Sequence, residues 1–200
     1  MNLLIDRELP ESVIVGRDEY EIRSDFRISI MFEILMQDGE VPDTEKTLKA
    51  LNLYYPIIPR DLDAAVNSLL WFYRCGKDDS GHGGKTGAKM AKRRVYSFEH
   101  DDSYIYAAFM SQYKVDLFDI EYMHWWKFRS LFNSLTSDNQ FVKIMEYRSI
   151  DISPDMTKEQ KRFYQKMKRL YALPLPKDEQ QKQDAIENAL LNGGDLTGIL

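Results

Sequence analysis

Residues 119–135 read DIEYMHWWKFRSLFNSL, the most apolar helical pattern in the 200-residue chain. Ile120, Phe128, Leu131, Phe132 and Leu135 fall on one arc of a helix, while Tyr122, Met123 and Trp126 fall on the opposite side. A helix that is apolar all round is either enclosed by the core or in contact with a partner. A chain of this length needs one helix covered on all sides, which favours the central position.

The flanking segments repeat the helical period. FRISIMFEILMQD, from Phe26, carries Ile30 and Ile34 at four-residue spacing behind a cap at Ser24 or Asp25, and Gly39 ends it. A short helix follows in VPDTEKTLKALNLYYP, with Asp43 or Thr44 as its cap. Another starts at Asp61 and runs to Gly76. HDDSYIYAAFMSQY repeats Ile105, Phe109 and Tyr113, and residues 137–153 hold a further short helix. Residues 157–170 place Phe163, Met167 and Leu170 on one face, continuing the line of Met156. Lys158, Lys161, Arg162, Lys168 and Arg169 lie on the other.

Ahead of these helices, Val13–Val15 and Tyr20–Arg23 flank a turn at 16–19 and read as a β-hairpin, and RVYSF (94–98) reads as a strand. The fold class is therefore mainly α, a single helical domain over residues 1–175 with a small N-terminal hairpin at 12–24. A flexible Gly/Lys loop is expected at 76–94. The tail at 176–200 is expected to be mobile and partly helical, with a weak stripe of Ile186, Ala189 and Leu190.

Composition narrows the function. Hydrophobic residues at 44% support a packed core, and a formal net charge of −5 opposes wrapping by a phosphate backbone unless cations are segregated. The segregated cations are those of 157–170, where Lys161, Arg162 and Arg169 suit an acidic protein surface or a phosphate backbone. A solvated helix face is the commoner explanation for such a stripe. Cys75 is the single cysteine, which excludes an internal disulfide and fits a reducing compartment. No apolar run reaches membrane-spanning length.

Motifs for chemistry are sparse. Gly84-Lys85-Thr86 has the ending of a phosphate-binding loop, but Asp79 stands where the early glycine must be, and the segment follows a helix instead of a strand. His100-Asp101-Asp102 offers metal-ligating types, yet carboxylates at a helix start are ordinary dipole and capping chemistry. His124 reads as a buried, hydrogen-bonded core histidine, with Glu121 three residues earlier as its acceptor. No catalytic, cofactor or metal residues are assigned.

YEIRSDFR (20–27), the run from Tyr104 to Leu135 and IMEYRSIDI (144–152) together resemble the conserved blocks of the bacteriophage gene-product-fifteen family of long-tailed phages of Gram-positive bacteria. The resemblance extends from about Val13 to Tyr171 and is sharpest at Met123–Phe128 with the preceding Asp116-Leu117. It implies a non-enzymatic role in tail morphogenesis in the host cytoplasm, with the tape measure protein and other tail assembly proteins as partners. A tail assembly chaperone is the favoured form of that role. A structural component retained in the virion, or a small nucleic-acid-binding protein, is the alternative. A homo-oligomer is compatible with either. A chaperone needs adaptable apolar surface, and on that basis Tyr122, Met123 and Trp126, with Lys161, Arg162 and Arg169, are the expected partner-binding residues.

Overall fold

A computed structural model describes residue 5, residues 8–77 and residues 94–174. Residues 78–93 of the expected Gly/Lys loop, and the whole expected tail, lie outside the described residues.

The N-terminal hairpin forms as expected, with a tighter turn. Strands β1 (Ser12–Val15) and β2 (Asp18–Glu21) are antiparallel with Val13 opposite Tyr20 and Val15 opposite Asp18, so the loop is Gly16-Arg17 alone. Gly16, at φ 68°, supplies the positive φ that a two-residue hairpin connection requires at its first position. Val13 and Val15 point into the core and Ile14 outward, the alternation of a half-buried strand.

Among the described residues seven helices follow: α1 (Phe26–Gln37), α2 (Asp43–Tyr54), α3 (Leu62–Tyr73), α4 (Asp102–Tyr113), α5 (Trp125–Asn133), α6 (Gln140–Ser149) and α7 (Lys158–Leu170). Asp25 caps α1 by accepting from the Arg27 amide, and Asp61 caps α3 by accepting from Ala64. Pro42 precedes α2, which leaves Asp43 in the first helical turn instead of at the cap. Thr157 and Gln160 form a reciprocal capping box at the start of α7. The hairpin lies on α3, where the Ser68 hydroxyl donates to the Ile14 carbonyl at 2.6 Å.

Two whole segments depart from the sequence reading. The first is residues 94–98, which form no strand. Tyr96 and Phe98 are held by their rings against Phe132, at 5.2 and 5.5 Å between centroids, and the Ser97 amide donates to the Asp101 carboxylate. β-branched and aromatic residues favour a pleated, half-buried surface, and here an aromatic cluster provides the burial without a ladder.

The second is the opening stretch. The helix expected over 119–135 begins only at Trp125. Two backbone hydrogen bonds, Phe26 N to Met123 O at 2.9 Å and Trp125 N to Ser24 O at 2.8 Å, pin residues 123–125 to the start of α1. The Met123 amide also donates to the Asp25 carboxylate. These amides and carbonyls are committed to a neighbour and cannot extend α5 backwards. The helical arc that set Tyr122 and Met123 beside Trp126 therefore does not exist.

Trp125 and Trp126 complete the core. Their indole N–H groups donate to the carbonyls of Tyr73 and Phe72, each at 2.8 Å, and so tie α5 to the last turn of α3. Phe128 stacks on Phe26 at 4.7 Å and on Phe109 at 5.0 Å, joining α5 to α1 and α4. Gly76 closes the turn after α3 at φ 70° directly beneath Trp126, where a Cβ would lie 2.8 Å from the ring.

Candidate interaction surface

Asp101 sits at the start of α4, but its carboxylate does not cap that helix. It is 1% exposed and accepts from Arg148 Nη1 at 2.6 Å and Nη2 at 2.8 Å, with Arg148 itself 7% exposed. Arg148 also donates to the carbonyls of Val95 and Tyr171. This buried bidentate pair ties α4, the 94–98 segment, α6 and the end of α7 together. Asp102, next in sequence, is exposed and accepts from the Ser103 amide. Among the described residues no three His, Cys, Asp or Glu side chains converge to hold a metal ion.

His124 is buried as expected, with different partners. Its Nδ1 accepts from the Trp126 amide at 3.0 Å, capping α5, and its Nε2 donates to the Pro10 carbonyl at 3.0 Å. Glu121 is not its acceptor. Burial lowers the His124 pKa from its ordinary value, against smaller raising effects of the Pro10 carbonyl and the Glu11 charge. Both nitrogens are engaged, so proton transfer through this ring would require breaking the cap of α5. The adjoining hollow is lined by Glu8, Pro10, Glu11 and Tyr122, and the Tyr122 hydroxyl shares a 2.7 Å hydrogen bond with Ser24.

Two of the expected partner-binding residues are thereby corrected. Met123 is 3% exposed and Trp126 is 2% exposed, and both belong to the core instead of an outward face. The cause is the late start of α5, which points Trp126 into the space over α3. Tyr122 is exposed, but it stands beside the hairpin, separate from α5.

Lys161, Arg162 and Arg169 are carried on α7. Arg162 and Arg169 are exposed and seven residues apart on one face, while Lys161 donates to the Pro154 carbonyl at 2.7 Å. No residue of α7 is buried. Its apolar side rests on α6 through Tyr147, 6.0 Å from Phe163 between ring centroids, and leaves Leu170 63% exposed.

A second surface was not anticipated. Between α1, α4, α5 and residues 117–118 lies a mainly apolar groove of about 600 Å³. Phe128 and Ile105 form its floor, and Ile30 and Leu117 line it. Phe118 stands at its edge, 86% exposed. The loop carrying Phe118 is firmly held. Asp116 accepts from the Phe118 and Asp119 amides, Tyr106 donates to Asp116 at 3.1 Å, and Arg27 donates to the carbonyls of Leu117 and Ile120. Desolvation, then the hydrogen bond to Asp116 and the Asp116 and Asp119 charges, raise the Tyr106 pKa, so its hydroxyl remains a neutral donor. A large aromatic residue held out to solvent beside an apolar hollow is the arrangement of a docking site. The only sequence signal for it is DLFDI (116–120), an apolar pair between two aspartates outside any helical period.

No helix among the described residues is long and apolar enough to cross a membrane. Comparison with curated proteins and with solved structures finds no match to this chain. A family model described as Bacteriophage Gp15 protein does match, over residues 5–173, a span that takes in the hairpin, all seven helices and the groove. The chain belongs to the Bacteriophage Gp15 protein family.

Proposed function

We propose that this protein is a non-enzymatic tail morphogenesis factor that acts in the host cytoplasm, most specifically a chaperone that binds the tape measure protein before the tail tube forms. Membership of a bacteriophage family supports the coarser statement, a phage structural or morphogenesis protein. The observation that carries the finer one is the groove beside Phe118. It is apolar, open along one side and edged by a rigidly presented aromatic ring, as reversible capture of an amphipathic helix requires.

Co-expression with the tape measure protein tests the reading. The wild-type chain should raise the soluble fraction of that client, and Phe118→Asp should abolish the gain while leaving the chain's own folding intact. Unchanged client solubility with the wild type would refute it. Mass spectrometry of purified particles separates the alternatives, because a chaperone is absent from them and a structural component is retained.

A further inference from the structure

We infer that copies of this chain associate head to tail, with α7 of one copy seated in the Phe118 groove of the next. The inference uses the groove described above but does not depend on which client that groove serves in a phage.

The groove is apolar within and negative around its edge. Asp102 lines it, and Asp116 and Asp119 lie close enough to Tyr106 to act on its hydroxyl. Arg27, the cation that holds the Phe118 loop, is already paired with Asp25 and donates to two carbonyls. An occupant must therefore present apolar side chains flanked by positive charge. An acidic helix would bring its carboxylates against Asp102, Asp116 and Asp119.

The chain itself displays such an element. Phe163 and Leu170, 47% and 63% exposed, stand at i and i+7 on α7 beside the part of its apolar side that rests on α6, a spacing by which a helix anchors in a groove. Around them are Lys158, Lys161, Arg162, Lys166, Lys168 and Arg169 against a single acid, Glu159. Arg162 and Arg169 make no ion pair among the described residues. The two surfaces are different patches of the same chain, so the contact is heterologous. Each added copy leaves one groove and one α7 open, and growth continues unless a ring closes.

The test is sedimentation velocity of the full chain over a wide concentration range, at low and at high salt. Species larger than a dimer should appear as concentration rises, and salt should dissociate them, because the charges involved are exposed. Phe118→Ser, Asp119→Lys and the pair Arg162→Glu/Arg169→Glu should each leave the monomer, with circular dichroism reporting an unchanged fold. Combining Asp119→Lys with Arg162→Glu/Arg169→Glu should restore association. A labelled peptide of residues 156–171 should bind the full chain and lose at least tenfold in affinity to Phe118→Ser. A monomer throughout with no peptide binding, or oligomers indifferent to Phe118→Ser and to both charge reversals, would overturn the inference. No tape measure protein is present in these measurements, so their failure leaves the client reading standing, and failure of client solubilisation leaves this inference standing.

Discussion

Replacing Asp101 with alanine is the most demanding test of the packing scheme. The carboxylate accepts three hydrogen bonds, from Arg148 Nη1 at 2.6 Å, Arg148 Nη2 at 2.8 Å and the Ser97 amide at 2.9 Å. In Asp101→Ala the guanidinium stays buried and retains only the carbonyls of Val95 and Tyr171, which are dipoles and not a counter-charge. Removing one partner of a buried pair costs about 3–5 kcal/mol, because the remaining charge is left uncompensated. Against a total stability of about 5–15 kcal/mol that is a large share, and for a chain of this size it corresponds to a fall in Tm of about 6–20 °C. Urea unfolding of the wild type, Asp101→Ala, Arg148→Met and the double variant measures it. The double variant should be less destabilised than the sum of the singles by more than about 1 kcal/mol, since removing both members also removes the orphaned charge. A loss below about 1 kcal/mol for Asp101→Ala, or strict additivity, would refute the reasoning. Arg148→Met should also speed amide exchange across α7, because Arg148 holds the Tyr171 carbonyl at the end of that helix.

Other outcomes follow from the same packing. Trp126→Ala should destabilise by about 3–5 kcal/mol in urea unfolding, as the loss of a buried ring does; a change within about 0.5 kcal/mol would return Trp126 to the surface. Gly76→Ala should cost about 1–3 kcal/mol, since the new Cβ meets the Trp126 ring at a φ that disfavours a side chain, and Trp fluorescence should report the displaced indole. Stability should also depend on pH through His124. Its folded pKa is lowered, so below the unfolded value of 6.5 the unfolded chain binds the extra proton first. The stabilising contribution is full above 6.5 and is lost as pH falls through the folded pKa. Subtracting the profile of His124→Asn, which keeps a capping side chain, should isolate that slope.

Much of this protein is determined by short-range sequence. The four-residue recurrence from Phe26 and from Ile105, and the apolar residues at helical spacing after Asp61, give α1, α4 and α3, because a period near 3.6 leaves one face to bury whatever the neighbour. Asp25, Asp61 and Thr157 mark helix starts because a short oxygen-bearing side chain can reach the open amides of its own turn. Val13, Val15 and Gly16 specify the hairpin by alternation and by one positive φ. Arg162 and Arg169 stay outward because charge opposite an apolar stripe faces solvent.

What the sequence left open was decided by contacts between residues far apart in the chain. Periodicity continues through Tyr122 and Met123 without a break. Only the docking of residues 123–125 on Ser24 and Phe26 diverts those amides and begins α5 at Trp125. The same event sends Trp126 inward and gives the buried His124 the Trp126 amide to cap instead of the expected Glu121 partner. Asp101 is likewise an ordinary helix-start carboxylate until Arg148, 47 residues away, arrives beside it. The groove at Phe118 has only DLFDI as a local signature, since its walls come from α1, α4, α5 and residues 117–118, which the fold brings together. A helical period fixes which side chains share a face, but backbone hydrogen bonds go to whichever partner the fold brings near, and that is a property of the assembled chain.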